Sequence, residues 1–326
     1  MARTAFVTGG TGFVGLNLVQ QLIEGGWDVT ALHRPTSDLT YLKRFGPRLA
    51  AGSITDWAAL KSAMPAGTDT VFHVAGNTNM WSRHNAEQTR DNVEGTRNVM
   101  EVALAKRVRR LVVTSSISAY GPVSGDVTEL TPSQAAHATV NYQLTKWKAQ
   151  EIARAGVRRG LEVVIMQPGA IIGPYDMGTW SRLFVLVRDG KLPGVPRAGL
   201  TFAHVREVAA AHIAAADKGE NGGQYLLGGE NKSMLELVRE IAILLGKPPP
   251  SREINAGLLR LIAALGDFAG RITGKAPSIT PEMARGFARI VTVSASKAQR
   301  ELGFRVVPLN AMLKDCHDWM RAEGRI

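Results

Sequence analysis

The chain has 326 residues, 45% of them apolar and 21% charged, which permits a large core and argues against a disordered chain. Lys and Arg number 39 against 28 Asp and Glu, a formal charge of +11, but the cations are spread along the sequence and do not define a nucleic-acid surface. Cys316 is the single cysteine, which excludes an intrachain disulfide or a cysteine-based metal site and fits a reducing compartment. Met1–Ala5 lacks the charged and apolar regions of a signal peptide, and no run approaches ~18 apolar residues, so the expectation is a cytoplasmic protein without a membrane span.

Strand and helix patterns alternate over the first two-thirds. Phe6–Thr8 predicts a strand that ends in glycines. Leu16, Leu18, Val19, Leu22 and Ile23 have helical spacing, so a helix is expected over Gly15–Glu24. Further strands are expected at Val29–Leu32, Thr70–Val74, Leu111–Thr114, Glu162–Gln167 and Tyr225–Leu227. Helices are expected at Asp56–Met64, Asn92–Ala105, Thr139–Arg154 and Val205–Ala216. This alternation predicts an α/β fold, a Rossmann-type doubly wound parallel sheet with helices on both faces. Lys106–Arg110, the densest basic run, reads as a solvated helix end.

The tail reads as mainly helical. Ser233 to Glu236 is a capping-box pattern opening a helix to Leu245. Helices are also predicted at Asn255–Ile272, Ser296–Leu302 and Leu309–Ala322. In Asn255–Ile272 the leucine-rich stripe is interrupted by Gly266, Asp267 and Gly270, which favours a core-facing or pocket-covering helix over one lying on a membrane. The expected division is a dinucleotide-binding domain over 1–170, rejoined by about 200–230, and a smaller substrate cap from 171–199 and 231–326.

Three motifs carry chemistry. Thr8-Gly9-Gly10-Thr11-Gly12-Phe13-Val14-Gly15 joins the first strand to the first helix. Gly9 suits a tight turn, Gly12 a close approach to pyrophosphate and Gly15 close helix packing, while the helix N-terminus offers amides to phosphate. Gly9, Thr11, Gly12, Phe13 and Val14 are therefore expected at a dinucleotide. After the second strand comes Leu32-His33-Arg34-Pro35, with no carboxylate until Asp38. An acid there would hold the ribose hydroxyls of NAD, whereas Arg34, assisted by Lys43 or Arg44, suits a 2′-phosphate, so NADP(H) is favoured over NAD(H). Tyr142 and Lys146 are four apart on a helix, where the ammonium favours the phenolate. Upstream, Thr114-Ser115-Ser116 ends a strand, placing hydroxyls where an open α/β sheet binds ligand.

Taken with Val71-Phe72-His73-Val74-Ala75-Gly76, Asn92-Val93-Glu94-Gly95-Thr96 and Gln167-Pro168-Gly169 through Gly173-Pro174, these motifs resemble the extended short-chain dehydrogenase/reductases, of the NAD-dependent epimerase/dehydratase type. His33 to Asp38, Trp81 and Gly228-Gly229-Glu230-Asn231 are most similar to the dihydroflavonol-4-reductase-like branch. The resemblance implies that Tyr142 is the general acid, that Lys146 binds the nicotinamide ribose, and that Ser116 rather than Ser115 is the catalytic hydroxyl. It places Thr114, Ala75, Gly76, Asn77, Pro168 and Ile171 along the cofactor. Where the family has Gly-Asp-Ile at the adenine, this chain has Gly52-Ser53-Ile54, so Ser53 and Ile54 make that contact without a charge. The family's His-Val-Asp-Asp-Val-Ala becomes His204 to Ala209 with Arg206 and Glu207 at its centre. A homodimer through the Asn92 and Tyr142 helices is also implied.

Residues following strand ends are expected to line a largely apolar pocket: Asn79, Met80, Trp81, Ser118, Met177 and Trp180, with Thr78, Tyr120, Tyr175 and Phe184 nearby. The expected activity is NADPH-dependent reduction of a ketone or aldehyde by hydride transfer. The alternatives are a nucleotide-sugar epimerase or dehydratase that holds its cofactor tightly, with Arg182, Arg188 or Arg197 as a diphosphate clamp, and a binding protein without turnover.

Overall fold

The computed structural model describes residues 2–192, 194–250, 253–286 and 289–326. Seven parallel strands form the central sheet: β1 (Thr4–Thr8), β2 (Asp28–His33), β3 (Arg48–Ala51), β4 (Thr70–His73), β5 (Arg110–Thr114), β6 (Glu162–Pro168) and β7 (Gln224–Leu227). Their order is β7-β6-β5-β4-β1-β2-β3. The order reverses between β1 and β4, so the crevice at the C-terminal ends of those two strands is where this architecture receives a ligand.

The inner strands are buried on both sides, as a parallel sheet covered by helices requires. One face packs Val7, Val29, Phe72, Val112 and Val164 under Phe13–Glu24 and Val205–Lys218. The other packs Phe6, Val71, Leu111 and Val163 against Leu60, Val99 and Ile152 from Trp57–Ala63, Gly95–Ala105 and Asn141–Val157. A third core lies under the cap, built from Ile172, Phe184, Phe202, Leu237, Ile241, Met312 and Leu313.

Several elements depart from the sequence reading. β3 and the helix Thr40–Phe45 were not predicted; β3 is an edge strand whose Arg48 and Leu49 are exposed, so it has no alternating pattern to read. The tail carries strands as well as helices: Glu230–Ser233 pairs with Gly199–His204, Glu253–Ile254 with Val195–Pro196, and Val291–Val293 with Gly125–Val127.

The basic run at 106–110 is not simply solvated. Arg110 is buried, donating to the carbonyls of Ala215 (2.8 Å) and Gly219 (3.0 Å) and to Glu162 (2.8 Å), while Arg109 pairs with Asp69 at 2.6 Å. These arginines tie the start of β5 to the end of Val205–Lys218.

The cap helix Ala256–Thr273 turns Leu259, Ala263 and Gly270 inward but leaves Leu258, Leu261, Leu265, Phe268 and Ile272 exposed. The core-facing expectation therefore holds for only one side of it. Among the described residues, no helix is long and apolar enough to cross a membrane.

Candidate active site

The β1 loop is shaped by close backbone approaches. Gly9 has φ +74°, and a Cβ on it would lie 2.6 Å from the Ala75 amide nitrogen. A Cβ on Gly15 would lie 2.0 Å from the Gly9 carbonyl oxygen. Both positions exclude larger residues and draw the Phe13–Glu24 helix onto the loop. Gly12 caps that helix without a side-chain acceptor and no acid occupies the first turn, so its amides and positive dipole end face the crevice. This cradle fits the pyrophosphate of a dinucleotide.

At the far end of β2, Arg34 is exposed, and among the described residues its guanidinium has no hydrogen-bond or ion-pair partner. Asp38, the first carboxylate after the strand, is engaged elsewhere. It accepts from the Thr40 amide (2.9 Å) and hydroxyl (2.6 Å), which lower its pKa. Arg44, expected as a helper, is held by Glu323 at 2.7 Å, and Lys43 is exposed. Ser53 hydrogen-bonds Thr55 at 2.9 Å, and Asn98 donates to the Ile54 carbonyl at 2.9 Å, fixing that turn against the helix Gly95–Ala105.

Ser116, Tyr142 and Lys146 converge where β5 ends. The Lys146 ammonium donates to the Thr114 carbonyl at 3.1 Å and lies 6.0 Å from the centre of the Tyr142 ring. It is buried, and desolvation pulls its pKa down to about 8. A Cβ on Gly76 would lie 3.1 Å from the same ammonium, so the loop after β4 adjoins it. Tyr142 keeps some exposure as a residue, yet its phenol is surrounded by protein, which raises its pKa, and the Ser116 hydroxyl acts the other way.

The two serines are distinguished by their partners. Ser115 accepts from Gln150 at 2.6 Å inside the core. Ser116 accepts from the Ser118 amide at 3.1 Å and acts on Tyr142. Thr114 meets His212 through its hydroxyl at 2.8 Å, and the other ring nitrogen of that imidazole donates to the Val208 carbonyl.

A polar network missed in the sequence supports this cluster. Thr96 donates to the Asn92 carbonyl (2.7 Å), so His73 Nε2–H must donate to Thr96 (2.9 Å) and its Nδ1 must accept from Thr8 (2.8 Å). The Thr8 hydroxyl in turn accepts from the Ala75 amide at 3.3 Å. Burial, and secondarily the Lys146 charge, pull the His73 pKa down to about 3, so it stays neutral.

Arg90–Glu94 is a π turn, a form of helix that recurs at functional sites. There Asn92 accepts from the Asn77 amide (2.7 Å) and donates to the Asn77 carbonyl (3.0 Å) and to Thr145 (3.1 Å), one residue before Lys146. The signal was Asn92 within the Asn-Val-Glu-Gly-Thr motif, whose wide turn has no compositional mark.

The expected pocket residues separate into two groups. Trp81 is buried and donates its indole N–H to Asp267 of the cap helix at 2.7 Å, and Thr280 donates to the Met80 carbonyl at 2.9 Å. These two therefore anchor the cap to the loop after β4. Asn79 is exposed, its side chain accepting from the Trp81 amide. Met177 is exposed, Ser118 and Trp180 are partly so, and Trp180 sits edge-on to Phe202. Tyr175 packs with Tyr41, Phe45 and Trp319, and Phe184 is fully buried in the cap core. Tyr120 donates to Gln167 at 3.3 Å with its pKa pushed up to about 12 by burial. Pro168 ends β6, and Ile171 lies in the strand Ala170–Ile172 that follows.

Sheet order, glycine cradle and the gathered serine, tyrosine and lysine define a Rossmann-type α/β protein of the dehydrogenase/reductase kind. The model of the NAD dependent epimerase/dehydratase family matches residues 5–228, and the chain belongs to that family, the extended short-chain dehydrogenase/reductases. It is 31% identical, over 100% of its length and 97% of the relative, to a Synechocystis protein provisionally named dihydroflavonol 4-reductase. The crystal structure of gox2253 superposes with a TM-score of 0.84 at 32% identity, covering 99% of both chains. A nucleoside-diphosphate-sugar epimerase from Pseudomonas aeruginosa, PA4631, superposes with a TM-score of 0.79 at 26% identity over 100% of both chains.

Proposed function

We propose that the protein is an NADPH-dependent carbonyl reductase acting on a ketone or aldehyde of a small, largely apolar or aromatic compound. The observation that carries this reading is the convergence of Ser116, Tyr142 and Lys146 at the crevice end of β5. A nicotinamide bound in that crevice supplies the hydride. Gly9, Thr11, Gly12, Phe13 and Val14 hold the pyrophosphate on backbone amides, with Ala75, Gly76, Asn77, Pro168 and Ile171 along the rest of the cofactor.

Ser116 holds the substrate carbonyl oxygen by its hydroxyl. Tyr142 gives its proton to that oxygen as negative charge develops there. The Lys146 ammonium then stabilises the tyrosinate left behind, while the Thr114 carbonyl fixes its position. The free guanidinium of Arg34, with Asp38 turned to Thr40, supports a 2′-phosphate and so NADP(H) over NAD(H).

The likeness to PA4631 favours a second reading, a nucleotide-sugar epimerase or dehydratase built on the same three residues. Two of the three arginines expected to clamp a diphosphate are engaged within the cap, Arg182 with Ser278 and Arg188 with Asp189. The test is the stoichiometry of turnover. Dialysed protein with little nucleotide, and NADPH oxidised one-for-one with loss of a carbonyl compound, supports the reductase. Protein that stays loaded with oxidised nucleotide and converts a nucleotide sugar without net NADPH use promotes the second reading.

A further inference from the structure

The cap helix Ala256–Thr273 has two apolar faces, and the protein uses only one. At about 100° per residue, Leu259, Ala263 and Gly270 share the side that packs on the protein. Leu258, Leu261, Leu265, Phe268 and Ile272 fall within an arc of roughly 80° on the opposite side. Their exposures run from 44% for Leu258 to 73% for Ile272. A surface helix normally carries one apolar stripe and a polar outer face. Here the outer face is itself a continuous apolar stripe about 21 Å long, the rise from Leu258 to Ile272 along the helix.

The charges around the stripe are cationic. Arg260, Arg271 and Lys275 are exposed along its border. Arg83 reaches the same edge, donating to the Arg271 carbonyl. The acids nearby are turned elsewhere: Asp267 accepts from Trp81 and pairs with Arg271, and Glu282 is buried and faces Arg285. Glu253 is partly exposed, before the helix begins. The whole chain adds its formal +11 to the same sign.

We infer that this helix is a peripheral membrane-docking surface, lying flat on an anionic lipid bilayer with its leucine and phenylalanine stripe among the acyl chains and its arginines at the headgroups. An apolar face bordered by cations is the combination that binds such an interface. A second copy of the chain fits less well. Pairing two such stripes would set like charges against each other, with no exposed acid on the described border to answer Arg260 or Lys275. The inner face also gives the site a purpose, because it holds Trp81 and adjoins the contact between Thr280 and Met80. Docking therefore sets the rim of the crevice beside the bilayer, where an apolar substrate would be concentrated. The inference does not depend on the reductase reading, since vesicle binding is measured without turnover.

The test uses the full chain and vesicles of phosphatidylcholine, with or without phosphatidylglycerol, in a sedimentation assay. Binding is expected to the anionic vesicles, to be weakened by salt, and to fall at least ~10-fold when two anchors are removed in a Leu265→Glu, Phe268→Glu variant. An Arg260→Glu, Lys275→Glu variant should lose about as much. The altered side chains are exposed, and an unchanged melting temperature checks the fold. For the unaltered protein, hydrogen exchange on vesicles should show new protection confined to the cap helix. The inference is overturned by failure to bind anionic vesicles, by binding that survives the Leu265→Glu, Phe268→Glu change, or by protection elsewhere. A concentration-dependent dimer that this variant dissolves, without vesicle binding, would assign the stripe to a second copy instead.

Discussion

Two helices of nearly equal length divide their residues in opposite ways. Asn141–Val157, 17 residues long, buries Lys146 and Gln150 beside Thr145 and Ala149. Ala256–Thr273, 18 residues long, exposes four of its large apolar side chains at more than half of their surface. Ordinary packing would put the lysine outside and the leucines inside. The first helix accepts a desolvated ammonium because the Thr114 carbonyl and the phenol of Tyr142 lie beside it. The second leaves apolar surface in water that its own fold does not cover. Residue type and burial disagree in both, and such disagreements are where a chain gives up stability for another use.

The largest expected effect tests the first helix. Tyr142→Phe keeps the ring and removes the acid, so kcat should fall by about 10²–10⁴-fold with dinucleotide affinity nearly unchanged. Steady-state kinetics and a binding titration decide it, and turnover at the unaltered rate would remove Tyr142 from its role.

Lys146→Met sharpens the comparison by restoring ordinary partition. Folding lowers the pKa of this lysine from 10.5 to about 8. Below about pH 8 it is charged in both states and its burial costs stability; between about 8 and 10.5 the unfolded chain holds the extra proton, so the cost fades as pH rises. The variant should therefore be inactive yet more stable near pH 7, by roughly 1–3 kcal/mol. That advantage should shrink in urea titrations run at higher pH. A destabilised variant at pH 7 would mean that the Thr114 contact outweighs the burial.

Arg34→Asp bears on the nucleotide side, which neither helix controls. Losing a charge-assisted hydrogen bond to a phosphate should lower NADPH affinity by about 10–100-fold. NADH binding should change much less. Tighter binding of NADH than NADPH by the unaltered protein would reject the argument from Arg34.

The smallest effect concerns the cap. Trp81→Phe removes the indole N–H that Asp267 accepts, while Arg271 keeps that carboxylate paired. A loss of about 1 kcal/mol is expected. It should be visible as faster hydrogen exchange in Ala256–Thr273 with β1, β4 and β5 unaffected. Uniform loss of protection would show that the cap and sheet unfold as one unit.

What was legible in the sequence was local. The glycines at 9, 12 and 15 and the pair Tyr142 and Lys146 act through neighbours a few residues away, and the structure brings these residues to one crevice. The central strands were legible because each carries a short run of mostly apolar, β-favouring residues between helix patterns. β3 was not, being a four-residue edge strand with little buried side-chain surface, nor were the paired strands of the tail, two to four residues long and joined to distant partners such as Gly125–Val127 for Val291–Val293. The choice between Ser115 and Ser116 depended on resemblance until Gln150 was seen to occupy the first. Trp81 was expected to line the substrate pocket; it is instead buried as an anchor of the cap, through a partner, Asp267, that lies 186 residues away.

The π turn at Arg90–Glu94 also sets the phase of the helical segment around it. One added residue in a helical turn shifts everything before it by about 100° relative to everything after. Ahead of the turn, Gln88 reaches the carbonyls of Asn77 and Asn79; behind it, Thr96 meets His73. Removing one residue between 90 and 94 would bring the segment back to a regular α-helix and rotate one set of contacts away from the other. This stretch should therefore tolerate exchange of its exposed side chains far better than any change in its length.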